Sequence, residues 1–194
     1  DAETPSGLNQ INNFVDNVLL NNTSLQVYGV DLLGNVWRFD INDNLDPDGL
    51  EATLLGTAKD SGGNPQPITT RPELAELEGK PWVFIGTGRL LGLGDLPDLH
   101  TQSAYGFKDP LAGTPAYADL RAALNPLQMT QSGLYRTMAC SVASCTGTNG
   151  WVFDLPDSGE RVNIDPKLQL GTLTFASNVP SNSACSIGGY SWLN

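Results

Sequence analysis

The chain has 194 residues, enough for one domain with its own core or for part of something larger. Ten Lys and Arg against 21 Asp and Glu leave a net charge of −11, which repels a nucleic-acid backbone and an anionic membrane surface alike. Hydrophobic residues make up 40% of the chain, but no run approaches the ~20 apolar residues of a bilayer-spanning helix, so no nucleic-acid partner and no membrane insertion are expected.

With 21 Gly, 13 Pro and only 16% charged residues, the composition suits a turn-rich β protein in an exported setting. The first residue is Asp1, and no charged and apolar leader follows it, as expected of a processed or cut end. Residues 6–20 place Leu8, Ile11, Phe14, Val15, Val18 and Leu19 at helical spacing behind Ser6 as N-cap, which predicts an amphipathic helix. Asn21, Asn22, Thr23 and Ser24 break that pattern. Residues 25–30 and 35–41 predict a hairpin turned by Asp31, Leu32, Leu33 and Gly34, with the glycine in the left-handed position.

Further short strands are predicted at 52–58, 81–87, 103–107, 135–138, 151–154, 161–164, 170–177 and 190–193. Turns rich in Pro, Gly and Asn separate them at 61–67, 86–94, 109–115 and 178–183. A second helix is predicted at 115–124, where Tyr117, Leu120, Ala123 and Leu124 share a face. The sum is an all-β chain with minor helical insertions, divided into an N-terminal helix and linker at 1–22 and strands from 23 to 194. One spacing recurs: Asp31, Gly34, Trp37 is echoed by Asn149, Gly150, Trp151, as in propeller blades that seat a Trp after a turn.

Cys140 and Cys145 are separated by four small or polar residues, and Cys185 lies far along the chain. Three reduced thiols are one reading; in an exported chain a local bridge between Cys140 and Cys145 is preferred, leaving Cys185 for a partner elsewhere. The spacing fits no zinc site.

Seven further segments stand out in order: VYGVDLLGNVWRFD at 27–40, PITTRPEL at 67–74, VFIGTGRLLG at 83–92, TQSAYGFKD at 101–109, GWVFDLP at 150–156, GERVNIDP at 159–166 and ACSIGGYSWL at 184–193. Together they resemble the C-terminal β-propeller of the PilC/PilY family of type IV pilus tip-associated proteins. The resemblance implies several blades of a propeller, a fragment or C-terminal segment of a larger exported protein. It implies a non-enzymatic module that supports pilus assembly, twitching motility and adhesion. The implied partners are minor pilins, the remainder of the tip protein and a host or abiotic surface ligand. The implied location is the periplasm in transit and then the pilus tip on a Gram-negative cell surface.

Members of that family carry a calcium loop of alternating Asp just before the strand matching 27–30. Here that place reads Leu20, Asn21, Asn22, Thr23, Ser24, Leu25, Gln26, so the site does not carry over. Another acidic loop follows at Asp40, Asn42, Asp43, Asn44, Asp46, Asp48, Gly49 and Glu51. Asn44, Asp46 and Asp48 with Gly49 sixth fit the start of an EF-hand loop, making calcium the one cofactor expected. Leu55 in the twelfth place and Pro47 within the loop weigh for an Asx-rich turn instead.

For catalysis the residues offer little. His100 is the single histidine and sits in a polar loop with no supporting triad motif. Gly86, Gly88 and Gly92 have the rhythm of a phosphate loop, but no Lys follows and a β-turn cluster fits better. Asp154, Asp157, Glu160 and Asp165 could be paired carboxylates for glycoside cleavage, or surface charge beside turns. Trp37, Trp82, Trp151 and Trp192 could form a sugar platform, though each lies in an apolar strand pattern that favours packing. The Asp, Gly and Trp spacing is also similar to quinoprotein dehydrogenase propellers, without the cofactor contacts such enzymes need. A quinoprotein-like enzyme and a carbohydrate-binding propeller are therefore the alternatives to the pilus module.

Overall fold

The β-branched and aromatic runs form strands, and among the described residues their order gives two large sheets and two two-stranded ones. A computed structural model describes residues 6–15, 19–46, 52–112, 116–140, 145–181 and 188–194. Strands β1 (Leu8–Val15), β2 (Ser24–Asp31), β3 (Asn35–Asp40) and β4 (Ala52–Thr57) make an antiparallel meander in chain order. The second sheet joins β5 (Glu73–Leu77), β6 (Lys80–Gly86), β7 (Ser103–Lys108) and β10 (Gly150–Asp154) as antiparallel neighbours. Between β7 and β10 the chain makes one helical turn, α1 (Leu120–Ala123), and a hairpin of β8 (Asn125–Ser132) and β9 (Tyr135–Cys140). That hairpin lengthens the second sheet, because β8 runs parallel to β10 through the pairs Trp151 with Asn125 and Val152 with Pro126. Two small hairpins follow: β11 (Lys167–Gln169) with β12 (Thr172–Thr174), and β13 (Ala176–Pro180) with β14 (Gly189–Leu193).

Alternation along β2 and β3 sends Tyr28, Val30 and Val36 into one core with Leu55, Val83, Ile85, Tyr105 and Phe107, so the two sheets pack on each other. On its far side the second sheet carries Ala104 and Phe153, which pack with Leu155, Val162 and Phe175 beneath Leu127 and Met129 of β8. Strand β6 is thus covered on both faces, which explains why PWVFI reads as an unbroken apolar run. One ion pair lies inside the first core. Arg38 donates to Asp109 at 2.8 Å and to the Ala112 carbonyl at 2.6 Å, and the Tyr28 hydroxyl donates to the same carboxylate at 2.8 Å. Burial first, and then the Asp109 charge, hold the Tyr28 hydroxyl far above the ordinary phenol range.

The all-β expectation holds, and several local ones are corrected. Residues 8–15 are a strand, not a helix. The spacing of Leu8, Ile11, Phe14 and Val15 comes from irregular pairing with β2, whose register shifts between Leu8 and Gln10 and again between Phe14 and Val15. Each shift turns the next side chain to the other face, so a strand imitates a three-residue step. Asn9, Asn12 and Asn13 are poor helix formers, and here the first two reach the carbonyls of Ile68 and Pro72. Val18 lies outside the described residues.

The second helix shrinks to α1, capped by Asp119 accepting from the Ala122 N–H. Residues 161–164 contribute a single bridge, Arg161 with Asn178, instead of a strand. The strand expected at 170–177 is broken at Leu170 and Gly171, both at positive φ (51° and 80°), the conformation of a tight hairpin turn between β11 and β12. Strands β5 and β8 are additions that the apolar pattern did not announce.

Candidate functional site

The segment 27–40 owes its signature to one carboxylate. Asp31 Oδ1 accepts from the N–H groups of Leu33 (2.9 Å) and Asn35 (3.0 Å), while Oδ2 accepts from the Asn35 amide (3.0 Å) and the Trp37 indole (3.1 Å). Gly34 completes the turn at φ 79°, where a Cβ would stand 2.6 Å from the Gln66 carbonyl. Aspartate, glycine and tryptophan at this spacing are therefore a self-locking hairpin. Asn149, Gly150 and Trp151 are not its second copy, because they open β10 rather than turn a hairpin.

A groove of about 550 Å3 lies between hairpin β8–β9 and the strands β12 and β14. Its floor holds Trp151, Phe153 and Phe175, the last three rings of a ladder in which Trp82, Phe84, Trp151, Phe153 and Phe175 follow one another at centroid distances of 5.4 to 6.2 Å. Its rim is apolar and open to solvent at Leu134, Tyr135 and Leu193. One end is closed by a charged knot. Arg136 grips Glu160 with two bonds of 2.6 and 2.9 Å, donates to Asp157 at 3.1 Å and lies 4.0 Å over the Trp192 ring. The Trp192 indole donates to Asp157 at 2.9 Å, and Ser177 donates to Glu160. Strand β9, the 157–160 turn, β13 and β14 are thereby joined. Arg136 was missed in the sequence, where a lone arginine in a polar hairpin gives no sign of its acidic partners 21 and 24 residues on.

The expected site residues fall in separate places. Asn44 and Asp46 lie in the turn after β3, and Asp48 is outside the described residues. Among the described residues no three His, Cys, Asp or Glu side chains gather to hold a metal ion. Cys140 ends β9, and Cys145 carries a thiol whose pKa is raised, chiefly by its hydrogen bond with Cys140; the two stand as neighbouring thiols. Cys185 lies outside the described residues.

His100 is exposed, and its Nδ1 meets Asp98 at 2.7 Å. Gly86 and Gly88 are not a phosphate cradle: a Cβ on either would stand 2.4 to 2.5 Å from Val162 or Arg161. Arg161 itself is buried and spends its guanidinium on the carbonyls of Gly159, Arg89, Asp95 and Asp98. The carboxylates 154 to 165 are distributed among arginines: Asp154 with Arg121, Asp157 and Glu160 with Arg136, Asp165 with Arg71. That leaves no facing acid pair of the kind glycoside cleavage uses. Trp82 is buried, Trp151 lies in the ladder and Trp192 is covered by Arg136, so the four indoles form no shared platform.

No family model matches the chain. It is 34% identical over 176 residues to a Xylella fastidiosa protein described as a type IV pilus biogenesis factor PilY1 homolog, across 84% of this chain and 14% of that protein. A second Xylella fastidiosa PilY1 homolog is 32% identical over 189 residues, across 86% of this chain and 12% of that protein. The fold matches the crystal structure of the Pseudomonas aeruginosa PilY1 C-terminal domain with a TM-score of 0.73 at 20% identity, across 91% of this chain and 45% of that one. Fold and sequence together define the class: an all-β unit that spans 12 to 14% of the length of these two relatives. The chain belongs to the PilC/PilY family and corresponds to part of its C-terminal domain.

Proposed function

We propose that this chain is a non-enzymatic structural module of a type IV pilus-associated protein, exported and displayed at the pilus tip. In that role it supports pilus assembly, twitching motility and surface adhesion. The observation that carries the reading is the 34% identity to a PilY1 homolog over most of the chain. The two packed antiparallel sheets serve as neighbouring blades of a β-propeller, and the β8–β9 hairpin is an insertion on the second of them. Minor pilins and the remainder of the tip protein are the partners, with a host or abiotic surface as the adhesive target. In the oxidising periplasm Cys140 and Cys145 close a local disulfide. The absence of a quinone role is supported by the arginines, whose charge is already committed to carboxylates and carbonyls.

The test is a strain in which the full-length gene is replaced by one lacking the codons for this segment, with export of the truncated protein verified. Surface pili counted by electron microscopy and twitching-zone diameter are both expected to fall to the level of the gene deletion. Normal piliation and motility would rule the proposal out.

A further inference from the structure

A polar pocket of about 180 Å3 lies between the loops 60–67 and 98–102. That is below the ~300 Å3 at which pockets begin to hold drug-sized ligands, so it suits a single small group. Both loops are held in place by bonds of their own. Asp60 accepts from the N–H groups of Gly62 (2.8 Å) and Asn64 (2.9 Å). Gln66 donates to the Thr101 carbonyl at 2.7 Å, and Arg161 donates to the Asp98 carbonyl at 2.7 Å.

The lining is rich in acceptors. Gln102 belongs to it, is only 5% exposed, and has an Oε1 that meets no hydrogen-bond partner among the described residues. A buried amide oxygen in that state is costly until a donor reaches it. Asp98 Oδ1 accepts from the His100 N–H at 3.0 Å and meets its Nδ1 at 2.7 Å, and Oδ2 is a further acceptor. A neutral His100 that donates its Nδ1–H to this carboxylate carries a lone pair on Nε2. Asp60 brings a second carboxylate. Burial works against its charge, but the Asn64 amide and the N–H groups of Asn64 and Gly62 hold its carboxyl below the ordinary range.

We propose that this pocket binds a primary alkylammonium group, whose three N–H donors are shared among Asp98, the Gln102 Oε1 and His100. Asp60 adds to the negative field, and Pro65 and Pro67 give the alkyl chain an apolar wall. Among the described residues no three His, Cys, Asp or Glu side chains gather to hold a metal ion, which points to an organic cation. A guanidinium fits less well, because its planar fork asks for both oxygens of one carboxylate and Asp98 Oδ1 is already engaged. The recognition chemistry is the same for a free amine and for a lysine side chain of a partner protein.

The site is independent of the pilus reading, since either can fail alone. The experiment titrates the full chain with n-butylammonium chloride at constant ionic strength and follows the backbone amides in 60–67 and 98–102 by heteronuclear NMR. The expected result is a saturable one-site shift with a Kd of about 1 mM, within the ceiling for so small a ligand. Gln102→Met and Asp98→Asn are each expected to weaken binding at least tenfold. Glu78→Gln, in the exposed turn between β5 and β6, is expected to leave it unchanged. Gln102→Met exchanges an unpaired amide for an unbranched apolar chain, and Asp98→Asn keeps an oxygen for the His100 N–H, so one variant holds the test if the other melts early. Parallel titrations with cadaverine and with Nα-acetyl-lysine methylamide separate the two sources. Tighter binding of the diamine assigns the pocket to a free amine and tighter binding of the lysine derivative assigns it to a partner's side chain, and both support the site. Tetramethylammonium, a cation without N–H donors, is expected to give no saturable shift. Shifts that it reproduces, no saturation at tens of millimolar n-butylammonium, or binding that both loop variants leave intact overturn the proposal.

Discussion

Asp31 shows how much one side chain can hold. Its carboxylate satisfies two backbone N–H groups that the turn would otherwise leave unpaired, and it fixes the Trp37 indole against the same hairpin. Replacing it by alanine strands those donors in a nearly buried position, at about 1 kcal/mol or more for each. Asp31→Ala is expected to cost about 2–3 kcal/mol in all, or roughly 5–10 °C in Tm for a chain of this size. Thermal unfolding followed by circular dichroism measures this, and Asp31→Asn should fall between the two because one acceptor survives. This residue could be found in the sequence, since Asp, Gly and Trp at fixed offsets stand out. Its role could not, because spacing does not say which group receives the indole proton. Glu160 and Arg136 were beyond sequence reading for a related reason: their partnership depends on tertiary placement of separate strands.

At the scale of elements, the predicted strands that proved sound are those where β-branched and aromatic residues run together, as in β2, β3, β6, β7 and β10. The misreadings fall where the local pattern is misleading or weak. Strand β1 carries bulges that mimic helical spacing, and its outward residues Leu8 and Ile11 stay 56% and 54% exposed, so burial supplies no corrective pattern. Strand β8 alternates polar and apolar residues weakly and is recruited by β10, whose paired residues lie 26 positions on.

Loop 89–98 is another element set by distant contacts. Arg161 holds its carbonyls, and Asp95 holds Arg89 (2.6 Å) and the Leu91 N–H (2.8 Å). Burial works against the Asp95 charge, but these donors outweigh it and keep its carboxyl below the ordinary range. The same balance holds at Asp98, where burial is opposed by the His100 N–H and imidazole. A carboxyl depressed by folding adds stability above its unfolded pKa of about 3.9 and loses it as the pH falls through the folded value. The loop is therefore expected to stay protected from pH 7 down to about 4 and to open below that, and Asp95→Asn should remove part of the dependence. Amide exchange of residues 89–98 between pH 7 and 3 is the measurement.

The crossing at Gly88 has no such pH dependence. At φ 135°, with Arg161 Cβ 2.4 Å from where its own Cβ would stand, Gly88→Ala is expected to cost about 2–4 kcal/mol at any pH, read as a lower urea midpoint.

Across the whole molecule, the layers are stacked in sequence order: first sheet, second sheet, then the hairpins that follow. Among the described residues the first interface is apolar apart from the buried Arg38–Asp109 pair; the strand pattern announced the apolar part and not the ion pair. The last layer is held differently. One ring of the ladder, Phe175, reaches it from Phe153 of the second sheet, at about 0.5–1.5 kcal/mol for an aromatic pair beyond area burial, but the chain segments 131–136, 157–160, 177 and 192–194 converge on one arginine and one glutamate. Glu160 is fully buried, and the Arg136 side chain is 6% exposed, so neither charge has water to fall back on. Removing the cation alone leaves Glu160 uncompensated, and Arg136→Met is expected to cost about 3–5 kcal/mol. Glu160→Gln keeps the acceptor for Ser177 and removes the charge, so in the Arg136→Met background it should recover much of that loss. Urea denaturation of the four proteins in the cycle gives the coupling, expected at about 2–3 kcal/mol. If the costs simply add, the Phe153–Phe175 contact rather than the knot holds the last layer to the second sheet, and Phe175→Ala should then be the more damaging change.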